Sequence, residues 1–359
     1  MMIIKRKLLK VLGQHISYYR ILHGIKTAIA CFIGIIIREH YKLPMSQWVP
    51  ITIMVVMGAQ IHFGGAIHKS LMRLLGTLSG VAIAIIAIWF FHNNPLVKIL
   101  VVFFSVVVFT YIASSNGNAS YAGTIGGVTV ILILAGQDMD INDALQRGID
   151  IIVGIVIALL VSRLFFPFHA RDQLRYLMIT TLRDLNKLYL LSVELGKSAD
   201  FFSYKELDAK IAKHIAQQPK LIYEAQISSL DVMAKKSFYA GFVESERNLN
   251  RLINMDYLAK QEIRDTDLIG KYQSSIASIK NTISDHLDYL ANCLEICKEP
   301  SIMESLEDSL KKADLILESL DGCAQYSPSL FISKQLLKEI HRAKDLITKV
   351  NGKIGDNMV

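Results

Sequence analysis

Two arginines, Arg73 and Arg147, occupy matching positions beside long apolar segments of the sequence. A guanidinium group keeps its charge at physiological pH and binds carboxylates through its N–H donors. An unpaired charge moved to the centre of a bilayer costs about 2.5–3.5 kcal/mol on insertion scales, so charges in membrane segments usually serve a transport path. The two arginines therefore indicate a path that attracts anions; the alternative is that each is an anchor at the lipid–water interface. Asp143 and Asp150 lie close enough to Arg147 in sequence to neutralise it along one helix face.

Three further polar residues are candidates for the same path. Lys26 lies inside the first apolar segment, near one end, where a lysine can reach the interface. Asn116 and Asn118 belong to the polar break SSNGNAS at residues 114–120. This composition is typical of a tight turn, and the alternative is a partly unwound segment whose backbone contacts a substrate.

Coupling to protons would need a group that titrates near neutral pH or a buried carboxyl. His62 and His68 flank the second cytoplasmic loop, and Asp150 lies in the last apolar segment. Histidine changes charge near pH 7, so these three residues are candidates for proton coupling. The alternative for both histidines is an ordinary position in an interfacial loop.

The sequence carries no arrangement typical of an enzyme. It lacks a phosphate-binding GxxxxGK[ST] loop, an HExxH motif and a GxSxG motif. Cys293 and Cys297 share a helix face but have no partner at zinc-site spacing. We therefore predict neither enzymatic activity nor a metal or cofactor.

Residues 99–137 form a run of thirty-nine positions without Asp, Glu, Lys or Arg. It is long enough for two membrane spans, divided by the polar break. The hydropathy pattern predicts six spans in all, near residues 21–37, 48–62, 74–91, 96–113, 119–136 and 148–166.

Charge distribution predicts the orientation of these spans. Residues 1–170 contain thirteen Lys or Arg and five Asp or Glu, whereas residues 171–359 contain twenty-six and twenty-seven. With the N-terminus in the cytoplasm, ten basic residues near span ends lie inside and four outside, as the positive-inside rule favours. Both termini are then cytoplasmic. The basic balance belongs to the membrane half, so it does not indicate a nucleic-acid partner.

The segments starting at Arg73 and Arg147 also indicate an internal repeat. Gly80 and Gly154 follow the two arginines at the same distance, and each is followed by small and aliphatic residues. The offset of 74 residues maps the first three spans onto the last three. Three spans per repeat place the two repeats in opposite orientations, with Arg73 near the inner mouth and Arg147 near the outer one. Such inverted repeats are typical of secondary transporters, whose path lies between the repeats.

The sequence therefore predicts an all-α polytopic membrane protein with a helical tail. We divide it into a cytoplasmic amphipathic segment, a six-span domain and a cytoplasmic α-helical domain, at residues 1–20, 21–167 and 168–359. Periodicity in the tail predicts helices near 174–195, 203–217, 220–258, 262–298, 301–320 and 329–350, with a break at Pro219. Such a bundle is suited to assembly, gating or partner docking.

Several of these segments resemble the fusaric acid resistance and aromatic acid exporter family. They are WVPITIMVV from Trp48, RLLGTLSGVA from Arg73, the run from Arg147 to Gly154, and FFP at residues 165–167. The similarity covers roughly residues 15–170. Six spans with a helical cytosolic tail are also similar, more distantly, to the plant aluminium-activated malate channels.

This resemblance implies export or conduction of organic anions, often aromatic carboxylates, across a bacterial inner membrane. Basic side chains within the spans serve the anion path in the family; Arg73 and Arg147 match such positions, and Lys26 is a third candidate. Larger members carry two membrane blocks and this chain has one, which implies a homodimer; a periplasmic adaptor is a further candidate partner. The leading hypothesis is a secondary exporter of organic anions. The alternatives are a passive anion channel and a membrane-anchored scaffold with a partner-binding tail.

Overall fold

The structure, a computed structural model, describes residues 16–41, 47–58, 60–91, 95–115, 117, 119–135, 141–165, 167–194, 201–262, 269–296, 311, 315 and 327–355. The regular elements within these ranges are all α-helices, which confirms the all-α prediction for this part of the chain. The chain divides into two compact units, Met1–Ala170 and Arg171–Val359. Each unit is described separately below.

The described residues of the first unit form six helices: α1 (Ile16–Tyr41), α2 (Trp48–Met57), α3 (Phe63–Phe91), α4 (Pro95–Ala113), α5 (Ser120–Leu134) and α6 (Ile141–Leu164). Of these, α1, α3, α4 and α6 are long and apolar enough to cross a membrane. The apolar helices α2 and α5 have 10 and 15 residues. They rise about 15 Å and 22 Å, less than the roughly 30 Å of a bilayer core. Length and composition therefore support four of the six predicted spans.

The outer faces of these helices are strongly apolar. Large hydrophobic side chains such as Phe32, Phe103, Phe104, Ile86 and Leu160 are exposed. Contiguous apolar surface of this kind is rare on soluble monomers. Lipid chains would cover it without the cost of hydrating it.

The first unit has two halves, α1–α3 and α4–α6. In each half the first two helices pack against each other in opposite directions. In the α1–α2 pair, the His23 ring bonds the Met57 carbonyl at 2.9 Å, while Gly34 lies against Val49. The start of α1 therefore meets the end of α2. In the α4–α5 pair, Gly123 likewise lies against the last residues of α4.

The short helices pack in parallel on long helices from the other half. Along the α3–α5 contact, Gly76 lies against Ala122, and Gly80 lies one turn further along both helices against Gly126. In the α2–α6 contact, Arg147 and Gly154 meet successive turns of α2 in the same order. Each half therefore supplies the short helix that covers the long helix of the other.

The second unit is built from α7 (Ala170–Glu194), α8 (Phe201–Ser228), α9 (Leu230–Ala234), α10 (Lys236–Glu262), α11 (Ile269–Ile296) and α12 (Ser327–Gly355). The predicted helices near 174–195 and 262–298 correspond to α7 and α11, and the one near 329–350 lies within α12. The helix predicted at 301–320 lies outside the described residues, apart from the helical residues 311 and 315.

The predicted break at Pro219 is wrong, because α8 continues through this residue to Ser228. Proline removes the hydrogen bond to the carbonyl four residues earlier and commonly kinks a helix. Here Ile215 and Leu221, on either side of Pro219, are both buried, so packing keeps the two segments in one helix. The chain breaks instead at Ser229, whose φ of −145° and ψ of 116° are extended.

A buried polar contact joins three helices of the second unit. Nε2 of Gln218 on α8 donates to Oε2 of Glu246 on α10 at 2.5 Å, and lies 3.4 Å from Oγ1 of Thr181 on α7. Glu246 is fully buried. Burial raises the pKa of this carboxyl well above its usual value, against the lowering effect of the bond from Gln218.

Candidate functional site

Arg73 on α3 is buried, with 4% of its surface exposed. Its Nη2 donates to Oγ1 of Thr52 on α2 at 3.2 Å, and its Nη1 donates to the hydroxyl of Tyr121 on α5 at 3.4 Å. Both acceptors are neutral. The hydrogen bonds therefore fix the side chain without cancelling its charge.

Arg147 on α6 is 2% exposed and is held differently. Its Cζ lies 3.9 Å from the centre of the Trp48 ring, a cation–π contact. Its Nε and Nη1 find no hydrogen-bond acceptor among the residues that the structure describes. Arg147 therefore retains two buried N–H donors without an acceptor among these residues.

The two arginines meet at one place on α2. Trp48 and Thr52 are one helical turn apart, which corresponds to a rise of about 6 Å. Arg147 contacts the first of these residues and Arg73 the second. The sequence predicts one arginine at each mouth of the path, whereas these contacts place both at the first turn of α2.

No carboxylate within the described part of the first unit is paired with either arginine. Asp150 lies one turn after Arg147 and is 2% exposed, but its Oδ2 has no hydrogen-bond partner there, and it forms no ion pair with Arg147. The Asp143 side chain lies outside the described residues. The described site therefore carries a positive charge.

Lys26 lies at a different level of the bundle. Its Nζ donates to the carbonyl of Ser162 at 2.9 Å and lies 5.7 Å from the centre of the Phe168 ring. Ser162 belongs to the last turn of α6, whose carbonyls lack partners within the helix and attract cations. Lys26 thus stabilises the C-terminal end of α6, about 22 Å along the helix from Arg147.

The two predicted histidines lie at the start of α3, before Arg73. His62 immediately precedes α3, where its carbonyl accepts the N–H of Ala66 at 3.1 Å. His68 is half-buried in the second turn of α3. Asn116 and Asn118 lie outside the described residues.

The residues beside the polar break form a compact connection between two helices. The Ser120 hydroxyl, in the first turn of α5, donates to the carbonyl of Ala113, the last residue of α4, at 2.5 Å. The N–H of Ser120 also bonds the carbonyl of Gly117 at 3.2 Å. These bonds favour a tight turn over an unwound segment.

Three residues that contact the arginines were not predicted from the sequence: Trp48, Thr52 and Tyr121. A tryptophan near a span end is typical of the aromatic belt at the membrane interface, and the sequence does not distinguish it from a buried tryptophan at the same place. Tyr121 also lies under Nζ of Lys69, 5.0 Å from the ring centre. Both aromatic residues lie at the start of a short helix: Trp48 is the first residue of α2, and Tyr121 is the second residue of α5. This shared position was the signal that could have identified them.

Two glycines, Gly80 on α3 and Gly154 on α6, each lie against a threonine of a short helix. A Cβ added at Gly80 would lie 2.8 Å from Cβ of Thr129, and one added at Gly154 would lie 2.7 Å from Cβ of Thr52. The glycines and the residues against them form two sets: Gly80 with Gly126 and Thr129, and Gly154 with Val49 and Thr52. The glycines are offset by 74 positions and their partners by 77. The offset between the contact residues of the two short helices is therefore three residues longer than the offset between the glycines of the two long helices.

Comparison with known proteins identifies the family of this chain. Residues 20–229, more than half of the chain, match the fusaric acid resistance protein family. The chain belongs to this family. The match covers α2 to α6 completely and extends through α7 and α8. It confirms the resemblance carried by the segments at Trp48, Arg73 and Arg147.

Three relatives illustrate the range of the fusaric acid resistance family. Inner membrane protein YeeA of Escherichia coli (strain K12) is 24% identical over 253 residues, covering 70% of each chain. The p-hydroxybenzoic acid efflux pump subunit AaeB of Salmonella heidelberg (strain SL476) is 26% identical over 202 residues, covering 53% of this chain and 30% of the pump subunit. Aluminum-activated malate transporter 13 of Arabidopsis thaliana is 24% identical over 363 residues, covering 89% of this chain and 65% of the transporter.

These relatives confirm both the exporter family and the more distant malate transporter relation. The chain spans less than a third of the length of the efflux pump subunits that it matches. Together with the apolar helices, the relatives identify a multi-pass membrane protein of a transporter family.

Proposed function

We propose that the protein moves organic anions across the membrane along a path that passes Arg73 and Arg147. The observation that carries this proposal is the convergence of two buried guanidinium groups on one turn of α2, without a carboxylate partner among the described residues. Two such charges are costly in a low-dielectric interior unless an opposite charge offsets them. A transported anion would supply that charge while it occupies the site.

The aromatic residues beside the arginines favour substrates that contain a ring. Trp48 and Tyr121 stand next to the two guanidinium groups, one on each short helix. A carboxylate could accept N–H bonds from Arg147 while its ring packs against these side chains. The p-hydroxybenzoic acid efflux pump subunit among the relatives supports aromatic carboxylates as the first class to test.

We further propose six crossings arranged as an inverted three-plus-three repeat. The helix directions support it: α1 and α4 run opposite to the short helix that follows each, and each short helix runs parallel to the long helix of the other half. The two glycine–threonine contacts support it as well. In this proposal α2 and α5 are spans completed by the loops at their ends.

Export against a gradient and passive conduction both suit this arrangement, and the malate transporter relative favours the second as an alternative. His62, His68 and Asp150 remain the candidates for proton coupling. Uptake into liposomes after a pH jump separates the two. An exporter would show flux driven by the proton gradient, whereas a channel would follow the substrate gradient alone.

The decisive experiment measures p-hydroxybenzoate flux in liposomes that contain the purified full-length protein. We expect Arg147→Ala and Arg73→Ala each to reduce flux at least about tenfold, because loss of a buried charged hydrogen bond costs about 1.5–3 kcal/mol. Arg163→Ala is the matched control, since Arg163 is an exposed arginine on the same helix as Arg147. Wild-type flux in both site variants would remove the proposed role of the arginines.

We also propose the cellular setting implied by the family. The chain would lie in a bacterial inner membrane, with a cytoplasmic segment at residues 1–20, spans within 21–167, and a cytoplasmic helical domain at 168–359. A homodimer would supply a second six-span block, and a periplasmic adaptor is a further candidate partner. Native mass spectrometry of the protein in detergent would test the dimer.

A further inference from the structure

One end of the second unit presents apolar side chains on a very short helix. Leu230 and Met233 on α9 are 85% and 62% exposed, while Val232 between them is buried. Lys235 caps the end of α9, and Lys236 begins α10. The exposed surface of α9 is therefore apolar with a basic border.

Two arginines at the start of α7 contact α9 and the end of α11, so these elements lie at the same end of the second unit. Arg171 pairs with Asp231 of α9 at 3.2 Å. Arg175, one turn later, donates to the carbonyls of Leu294 and Glu295 at the end of α11, the latter at 2.9 Å. The neighbouring Ile296 is also exposed, so the apolar surface extends from α9 to the end of α11.

The charge of this surface is positive. Asp231 bonds Lys235 at 2.8 Å as well as Arg171, so a single carboxylate is shared by two cations. The hydrogen bond from Lys235 is the main cause that keeps the pKa of Asp231 below its usual value. Lys236 adds a further exposed charge. The surface thus suits an anionic partner with an apolar interior.

The sequence limits how far this end can lie from the bilayer. Residues 165–170 alone separate Arg171 from Leu164, where the apolar helix α6 ends. Even a fully extended chain covers no more than about 25 Å over this distance. Exposed apolar side chains bordered by lysines bind at the level of lipid headgroups, and basic residues are attracted to an anionic surface.

We propose that α9 and the end of α11 rest on the lipid surface of the membrane that holds the spanning helices. Leu230, Met233 and Ile296 enter the headgroup region, and Lys235 and Lys236 contact anionic headgroups. This proposal depends on the chain being a membrane protein and is independent of the anion that it transports.

Brominated lipids test the proposal in the full-length protein. Met233→Trp and Leu258→Trp form a matched pair, because the two side chains are 62% and 60% exposed and Leu258 lies about 33 Å along α10 from Lys236. The native Trp48 and Trp89 are common to both variants and are subtracted using the wild type. In liposomes with lipids brominated near the headgroup, the tryptophan introduced at position 233 should lose on the order of half of its emission, and the one introduced at position 258 almost none.

A second pair of measurements tests the charge. Exchanging phosphatidylcholine for phosphatidylglycerol should increase the quenching at position 233, and adding Lys236→Glu should abolish that increase. Leu230→Trp repeats the test at the more exposed position. Equal quenching at 233 and 258, no quenching at 233, no response to phosphatidylglycerol, or an efficient disulfide between two copies carrying Leu230→Cys would each overturn the proposal.

Discussion

At the scale of single residues, the two arginines differ although they hold equivalent positions. Arg73 donates to two hydroxyl groups, whereas Arg147 is stacked on Trp48 and keeps two N–H groups without an acceptor among the described residues. Under the proposed function, Arg147 is the better placed to bind a carboxylate directly. Arg73 contributes mainly charge and holds α2 and α5 in place.

Thr52 supports both arginine helices through different atoms, so two substitutions can separate its contributions. Thr52→Val keeps the shape against Gly154 but removes the acceptor for Arg73. We expect a loss of about 0.5–2 kcal/mol in the free energy of unfolding. Thr52→Ser keeps the hydroxyl and should retain the Arg73 contact. Thermal unfolding in detergent measures both; a stability for Thr52→Val equal to wild type would mean that the Arg73 hydrogen bond contributes nothing.

Glu246 should make the second unit less stable as pH rises. Its folded pKa lies well above the usual 4.5, so between these two values the unfolded chain releases a proton that the folded chain keeps. Stability is then fully present below about pH 4.5 and falls above it, by at most about 1.4 kcal/mol per pH unit.

The measurement compares melting curves of Glu246→Gln and wild type between pH 5 and 8, followed by circular dichroism. The stability of the variant relative to wild type should increase with pH, because the amide cannot ionise. Glu244→Gln is the control two residues earlier on α10, where the carboxylate is partly exposed and pairs with Arg247 at 2.6 Å. Parallel pH profiles for wild type and Glu246→Gln would contradict the expectation.

At the scale of helices, the spacing in the sequence relates α3 to α6 but does not predict what each one packs on. The 74-residue offset of Arg73 and Gly80 is visible in the letters because arginine and glycine are rare in apolar segments. The partners of the glycines are shifted by three residues, and they come from the other half of the unit. Neither fact can be derived from periodicity, which reports the buried face of a helix and not its neighbour.

Gly154 and Gly148 on α6 provide a matched test of this packing. A Cβ at Gly154 would lie 2.9 Å from the Val49 carbonyl and closer still to Thr52, whereas a Cβ at Gly148 meets nothing within 4 Å. We expect Gly154→Ala to destabilise the protein by about 1–3 kcal/mol through overpacking. Gly148→Ala should be neutral or stabilising, because alanine favours helix by up to about 1 kcal/mol. Equal melting temperatures for the two variants would argue against the close α2–α6 contact.

At the scale of the whole molecule, the number of crossings can be tested at a single position. Leu96 at the start of α4 is 71% exposed. With six spans it lies outside the cell, whereas with the four long helices alone it lies inside. We expect Leu96→Cys to react with a membrane-impermeant maleimide in intact cells, and Leu258→Cys, at a 60% exposed position of the second unit, to react only after permeabilisation. Labelling of Leu96→Cys only in permeabilised cells would exclude six crossings.

Much of the general organisation was accessible from the sequence, since long apolar runs and charge bias are properties of composition. The family, the all-helical architecture and the four long apolar helices follow from such signals. Only some of the residues of the candidate site could be predicted from the sequence. Arg73 and Arg147 stand out as charges, but Thr52 and Tyr121 look like ordinary polar residues of an apolar helix until the fold brings them to the arginines. Lys26 was selected for its charge, and its contact with the end of α6 depends on tertiary packing.

The exchange of short helices between the halves has a consequence for biogenesis. When α2 leaves the ribosome, the helix it must pack on has not yet been made, because Gly154 is translated about a hundred residues after Thr52. At roughly 5–20 residues per second this delay lasts on the order of 5–20 s. During that time the face of α2 around Thr52 needs a temporary neighbour, which the insertion machinery or a chaperone would have to provide. Nonsense or frameshift truncations between α2 and α6 should therefore yield nascent chains that quality-control proteases remove.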